Sequence, residues 1–420
     1  MPKITFTTKD SATTWVEYYC ADPTQPVFQT RPSHGVHHEI TLLNIKPAKE
    51  YHYKVQIRYK KNKTIASPWM TFRSKSIPDS LLTVEKIKID TSVFQGYILI
   101  RRFFKFGVDA LIDAEGDIVW YHSYGMPVRR AFSWTADNTI LSIVDSARIQ
   151  EIDLYGNVLL DLDLEKNGLP YKVHHEIFRD KKSRHLVAIS HDSRKFNLKR
   201  HGGSVNQPLM GDGILELSEK GQVIKYWSVF DELNPEKFPG SISLQENWGH
   251  ANAVWPDDSN HFYISFRDFN QIWKLDRKAG KVVWKLGMGG DFVLKNPDDY
   301  FIRQHSVSLH PDYGVEMFDN GDHSKRPNSR VLAFRINEIE QQAVTSTKVV
   351  LPLSLSSYRM CSVYPITKNK HLVCTTKKDG IISVIDDTGK ILWQVRVNHA
   401  SYRAYWVPNP FSDLISRKAR

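Results

Sequence analysis

Only three cysteines occur in 420 residues, Cys20, Cys361 and Cys374, which excludes a disulfide framework as the source of stability. Cys361 and Cys374 fall in neighbouring predicted strands, where one bridge is open to them, but reduced and buried thiols are the expectation. No apolar run reaches the 18 or so residues of a membrane-spanning helix, so no membrane span is expected. The first twenty residues, from Met1-Pro2-Lys3-Ile4-Thr5, lack the apolar stretch of a secretory signal. A cytoplasmic protein is therefore expected, or a periplasmic or exported one if a signal upstream of Met1 is missing. Acidic residues are in the minority: 46 Asp and Glu against 57 Lys and Arg give a formal net charge of +11, which favours anionic partners. The cations are dispersed, as at Lys181-Lys182, Arg194-Lys195 and Lys199-Arg200. No basic stripe interleaved with aromatics accompanies them, so nucleic acid is not an expected partner.

What is plentiful is aromatic side chains, with 11 Trp, 18 Tyr and 20 Phe, a composition suited to strands. Up to about residue 77, apolar and polar residues alternate over short runs such as Trp15-Val16-Glu17-Tyr18-Tyr19 and Tyr51-His52-Tyr53-Lys54-Val55. Between them, Leu43-Asn44-Ile45-Lys46-Pro47-Ala48-Lys49-Glu50-Tyr51 resembles the leucine-proline-tyrosine corner of fibronectin type III domains. Residues 1–77 are accordingly expected to form a small fibronectin type III/immunoglobulin-like β-sandwich, with 78–91 as a linker.

The rest of the chain repeats. Asp113-Ala114-Glu115-Gly116-Asp117-Ile118-Val119-Trp120 is the clearest copy, and Asp153 to Gly156, Asp276 to Gly280 and Asp386 to Gly389 follow it, with a weaker copy from Ser218 to Gly221. Each reads as a strand, a tight turn with Gly at positive φ, and a return strand. Gly116 to Gly156 spans 40 residues, a four-stranded propeller blade. Longer intervals imply insertions, and the space from Gly280 to Gly389 holds two blades. The fold class is thus all-β: a six-bladed β-propeller over 92–410, preceded by the sandwich. Its blades fall at roughly 92–127, 128–168, 169–235, 245–290, 300–350 and 355–397. Tyr402-Arg403-Ala404-Tyr405-Trp406 is placed to return and close the ring.

In such a ring the innermost strands begin at the channel mouth. Aligning the repeats puts Arg130-Ala131-Phe132, His174-His175-Glu176, His250-Ala251-Asn252, His305-Ser306-Val307 and Arg359-Met360-Cys361 there. A second ring holds Arg267, Lys377, His191 and the Asp319-Asn320 pair. Together they make an electropositive, donor-rich lining suited to a sulfate or phosphate ester. His185, His261 and His371 also match one another, but each ends a polar turn away from the mouth and is read as structural. Val36-His37-His38-Glu39-Ile40 duplicates Val173-His174-His175-Glu176-Ile177, yet it lies in the N-terminal part, where an exposed strand explains it. Three imidazoles could also hold Zn²⁺ with an open position. The fixed charge of Arg267 opposes a dication, so neither a metal nor a cofactor is expected.

At His174-His175-Glu176, Trp248-Gly249-His250-Ala251-Asn252, Ser265-Phe266-Arg267, Gln304-His305, Phe318-Asp319-Asn320-Gly321 and Ser401-Tyr402-Arg403, the chain resembles bacterial arylsulfate sulfotransferases of the type that uses no nucleotide sulfate donor. The resemblance spans roughly residues 90–405. It implies ping-pong transfer of a sulfuryl group from a phenolic sulfate ester to a phenolic acceptor, through a sulfohistidine on His305. It implies catalytic roles for His250, Arg267 and one of the His174-His175 pair, favouring His175. Substrate contacts are implied at Asn252, His174, Asn320 and Tyr402, with Thr375 as the candidate for the family's last-blade threonine. Neutral imidazole is available as a nucleophile at pH 7, and a histidine is expected to protonate the departing phenolate. The alternatives are an aryl sulfate hydrolase and a non-catalytic propeller that binds sulfated ligands. A shorter N-terminal region than the family's leaves export and a homodimer open. The insertion around 192–212 is expected to shape acceptor choice.

Overall fold

The computed structural model describes residues 1–21, 26–59, 64–244, 247–377 and 379–417. Among them there is no α-helix, only strands and five 3₁₀ turns of three residues each, and no helix is long and apolar enough to cross a membrane.

Six four-stranded antiparallel sheets form a propeller, as the repeats predict. Blade 2 runs Phe132–Trp134, Ile140–Asp145, Arg148–Ile152 and Val158–Asp163 from the axis outward, and blades 3 to 6 repeat the plan. Their innermost strands are Val173–Arg179, Ala251–Pro256, His305–His310 and Ser362–Thr367. Blade 1 is closed from the other end of the chain. Ala404–Val407 pairs with Tyr97–Arg102 and supplies its innermost strand. Innermost strands of adjacent blades touch all the way round, so the inner edges crowd one another around the axis. The expected linker holds Val84–Lys88, a fifth strand on the outer edge of blade 6.

Alternate residues of a strand point to opposite faces, and here both faces are covered by a neighbouring blade. Ile98 and Ile100 pack in the core between blades 1 and 6, whereas Leu99 packs between blades 1 and 2. Each of the other four seams has its own apolar cluster. The Asp-turn-Gly repeats join the two outer strands of the blades. Gly116 (φ 79°) donates to the Asp113 carbonyl at 3.0 Å, and a side chain at that φ would be strained.

The described strands between Lys3 and Arg73 form one curled hydrogen-bonded sheet, whose strand Val27–Gln29 also pairs with the C-terminal Ile415–Arg417. Within it Tyr51 Oη accepts from the Lys46 N–H at 2.8 Å, the bond that defines a tyrosine corner. Lys46 Nζ reaches into the blade 1 turn, 3.0 Å from Asp113 and 3.2 Å from Asp117, and also touches Glu115. The duplicated histidine motif is not explained by an exposed strand. His38 is buried, bonded to the Thr14 and Ser33 hydroxyls at 2.9 and 3.1 Å and stacked on Phe6. All three cysteines are buried and free.

Candidate active site

The six blades leave an open cavity of about 610 Å³ at one end of the axis. Every inner-strand segment that the sequence places at the mouth contributes to it: Arg130, His175, His250, His305, and the pair Arg359 and Met360. Arg267 and Lys377 of the second ring line it too. The backbone turns these side chains inward. His175 (φ 57°), His250 (φ 50°), Ser306 (φ 61°) and Met360 (φ 58°) are left-handed, and the pairing register shifts at this point in blades 3, 4 and 5. Non-glycine residues in that conformation are strained, and the cost persists only where surrounding structure imposes it. Gly249 (φ 88°) precedes His250, and a Cβ there would lie 2.8 Å from the Phe269 ring.

His305 is 3% exposed. Its Nδ1 lies 2.7 Å from Asn320 Oδ1 and 3.0 Å from the Arg303 carbonyl. Asn320 commits its own Nδ2 to the carbonyls of Ser357 and Met360, at 2.8 and 3.1 Å. Two acceptors therefore face Nδ1, which must carry the proton. Nε2 is left with a lone pair. Burial, reinforced by Arg267 and His250, lowers the His305 pKa to about 3 even though the Asn320 bond opposes the shift, so the ring is neutral at pH 7.

His175 sits behind the mouth wall on the other side, its ring 5.1 Å from that of His250 and 6.0 Å from Tyr402. Of the His174-His175 pair, only His175 reaches the cavity. His174 faces away, with Nε2 3.0 Å from Asp212 Oδ1 and Nδ1 2.6 Å from His175 Nδ1. Asp212 is buried and holds Asn247 Nδ2 at 2.6 and 2.8 Å and the Ala251 N–H at 2.5 Å. His174, His191 and Asn247 keep its carboxyl below the usual range against the opposing effect of burial. Burial lowers His174, His175 and His250 as well. His191 stacks on His174 with ring centres 3.8 Å apart. The nitrogens of these two rings and Asp212 lie within 4.8 Å of one another. Stacked rings direct their lone pairs side by side, and Asp212 already accepts from Asn247 and the Ala251 N–H, a poor arrangement for a tetrahedral ion.

The remaining expected residues lie just outside the cavity. Asn252 is buried and donates to the Gln304 carbonyl at 2.8 Å, tying blade 4 to blade 5. Its own carbonyl accepts from Tyr402 Oη at 3.2 Å and from Arg403 at 3.0 Å. Tyr402 thus underlies the mouth, and Arg403 pairs with Glu176 at 2.7 Å beneath it. Thr375 shares a face with Lys377 but sits two residues deeper, buried and away from the cavity. His185, His261 and His371 are each held by carboxylates, at 2.6, 3.1 and 2.8 Å. The 192–212 insertion lengthens the blade 3 hairpin and does not line the cavity. The rim instead takes Phe103, Phe104 and Lys105 from the first hairpin of blade 1 and His399 from the chain entering the closing strand. Repeat alignment misses them because blade 1 takes its inner strand from the far end of the chain.

A model of the arylsulfotransferase (ASST) family matches residues 83–350. The chain belongs to the arylsulfotransferase family. The match takes in His175, His250, Arg267 and His305 of this arylsulfotransferase, while Arg359, Lys377 and Tyr402 lie beyond it. No curated protein matches the sequence. Among solved structures, a protein of unknown function from Bacteroides caccae is similar over 72% of this chain and 94% of its own, at 12% identity and a TM-score of 0.45. A streptogramin B lyase covers 92% of this chain and 98% of its own at 10% identity and a TM-score of 0.36. Virginiamycin B lyase from Staphylococcus aureus covers 94% and 99%, at 11% identity and a TM-score of 0.31.

Proposed function

We propose that this arylsulfotransferase moves a sulfuryl group from a phenolic sulfate ester to a phenolic acceptor by a ping-pong mechanism, with His305 as nucleophile. The observation that carries the reading is the fixed tautomer of His305, whose Nε2 lone pair is free while Nδ1 is held by Asn320. Nε2 attacks sulfur, the bond from sulfur to the aryl oxygen breaks, and that oxygen leaves with the electron pair. The product is a zwitterionic sulfohistidine whose Nδ1–H stays bonded to Asn320. Transfer of this kind has a loose transition state, so catalysis is positioning and charge stabilisation. In this reading Arg267 and His250, which both act on His305, take the sulfuryl oxygens. Burial holds the cluster neutral, so the leaving group departs as phenolate and is protonated by water rather than by an imidazolium.

In the second half-reaction His175 Nε2 takes the acceptor's proton. The phenol oxygen attacks sulfur, the N–S bond breaks, and the pair returns to His305. Asp212 and His174 keep His175 in the required tautomer, since His174 Nε2–H faces the carboxylate and its Nδ1 then accepts from His175 Nδ1–H. The test is release of p-nitrophenol from p-nitrophenyl sulfate on addition of phenol. His305→Ala should abolish it, and rapid quench of wild type with donor alone should give a peptide heavier by one sulfuryl group. Full activity in His305→Ala would remove His305 from the mechanism.

The N-terminal sheet is read, on the Lys46–Tyr51 corner bond, as a fibronectin type III-like unit over 1–77. The 78–91 connection then leads into the propeller of 92–410.

A further inference from the structure

The mouth carries more positive charge than one sulfuryl group uses. Among the described residues no carboxylate lines the cavity, yet Arg102, Lys105, Arg130, Arg267, Arg359 and Lys377 do. Three of the six have acceptors within the protein. Arg267 bonds Asp268, while Arg102 and Lys377 bond backbone carbonyls. Lys105 and Arg359 are exposed and need none. Arg130 is different: it is half-buried, and among the described residues no acceptor meets its guanidinium. It lies between two aromatic rings, 5.9 Å from the centre of Phe103 and 5.5 Å from that of Tyr402. None of its nitrogens is sealed from water, so its donors are free for a ligand, and its planar fork suits a bidentate oxyanion.

Position separates Arg130 from the sulfuryl site. It begins the innermost strand of blade 2, and His305 begins that of blade 5. In a six-bladed ring those blades face each other across the axis. The electrostatics agree, since Arg130 acts on His175 and His250, whereas Arg267 acts on His250 and His305. The two guanidiniums bracket the histidines, and Phe103 beside Arg130 offers an aromatic face to a ring lying between them.

We propose that Arg130 forms a second anion subsite, across the mouth from His305, which selects an aryl substrate bearing an oxyanionic substituent on its ring. The inference rests on the sulfotransferase reading only for which end of the ring reacts. The preferred acceptors are then hydroxyaryl carboxylates and their sulfate or phosphate counterparts, with the phenol oxygen toward His305 and the second anion on Arg130.

The experiment is calorimetric binding of 4-hydroxybenzoate and its neutral analogue 4-hydroxybenzyl alcohol, with and without saturating inorganic sulfate. Wild type should bind the carboxylate at least tenfold more tightly, with or without sulfate. Arg130→Met should bring the ratio close to one, and Arg130→Lys should restore part of it. Equal binding of the two ligands by wild type overturns the subsite. So does a preference that sulfate removes, which would place the carboxylate in the sulfuryl site. A ratio unchanged in Arg130→Met, or in Arg130→Gln should the Met variant fail to fold, overturns it as well. Sulfuryl transfer to both acceptors is measured alongside: a binding preference without any transfer sinks the proposed activity and leaves the subsite, and transfer without preference does the reverse.

Discussion

His305 and Asn320 face each other at 2.7 Å in a bond whose direction is fixed, because the Asn320 amide nitrogen is already spent on two backbone carbonyls. Asn320 is itself held by the turn that follows it. Gly321 is left-handed at φ 82°, and a Cβ there would meet the Arg326 guanidinium at 2.5 Å. The tautomer of His305, the proposed nucleophile, is thus set by backbone geometry in blades 5 and 6.

Asn320→Leu frees that tautomer. The rate constant kcat with p-nitrophenyl sulfate should fall by about 10²-fold, the scale of losing one positioned polar group, with KM changed little. Asn320→Asp puts a carboxylate against Nδ1 and should raise the His305 pKa from about 3 by about one to three units. The acid limb of kcat/KM then moves toward neutrality. A limb that stays in place would show that Asn320 does not act on the ring.

Asp212→Asn should separate the two half-reactions. If Asp212 and His174 position His175 as the base for the acceptor, the burst of p-nitrophenol is retained while steady-state turnover drops by about 10²-fold. Stopped-flow measurement gives both numbers from one trace. Equal loss of burst and turnover would make Asp212 a purely structural anchor for Asn247 and Ala251.

Stability should rise from about pH 3 to about pH 6.5. Burial lowers His174, His175, His250, His305 and His399, so through them the unfolded chain binds more protons than the folded one in this window. Glu176, raised by burial to about 7, offsets part of the rise, and His371 also has the opposite sign. Burial would lower it, but the Glu316 and Asp387 carboxylates outweigh that and raise it. Its contribution is complete below about pH 6.5 and fades as pH climbs through the raised folded value. Guanidinium midpoints from pH 4.5 to 9 should show a rising limb for wild type, and His371→Gln should lose less at the alkaline end. A flat wild-type profile below pH 6.5 would contradict the assignment.

Arg403 and Glu176 pair at 2.7 Å beneath the mouth, both buried, and burial pushes Glu176 up to about 7 despite that pairing. Arg403→Met strands the carboxyl and should cost about 3–5 kcal/mol, whereas the double variant Arg403→Met/Glu176→Leu should recover much of it. Urea denaturation of the three proteins decides. A double variant as weak as the single one would count against the pair as the cause.

The propeller was legible because four blades repeat the same local chemistry, an Asp, a glycine that accepts positive φ and flanking apolar strands, and the spacing between them leaves room for the other two. The mouth histidines were legible for the same reason, being at one register in successive repeats. Asp212 was not, since it stands in the third strand of blade 3 and meets His174 only through strand pairing and the left-handed His175. The rim residues Phe103 and Lys105 were not, because no repeat leads to them. His38 and His175 hold the same place in one five-residue motif, and what separates them comes from outside it: the hydroxyls of Thr14 and Ser33 for one, the rings of His250 and Tyr402 for the other.

Local pattern was therefore enough to specify six blades, the return of the chain near 402–406 to close them and the residues at the start of five inner strands, since strand periodicity and turn chemistry act over a few residues. Tautomers, the relay behind His175, the idle guanidinium of Arg130 and the shift of His305 to about 3 came only with the folded ring. They depend on burial and on groups 15 or more residues apart, such as Asn320 beside His305 and Asp212 beside His174, and neither is fixed until the blades close around the axis.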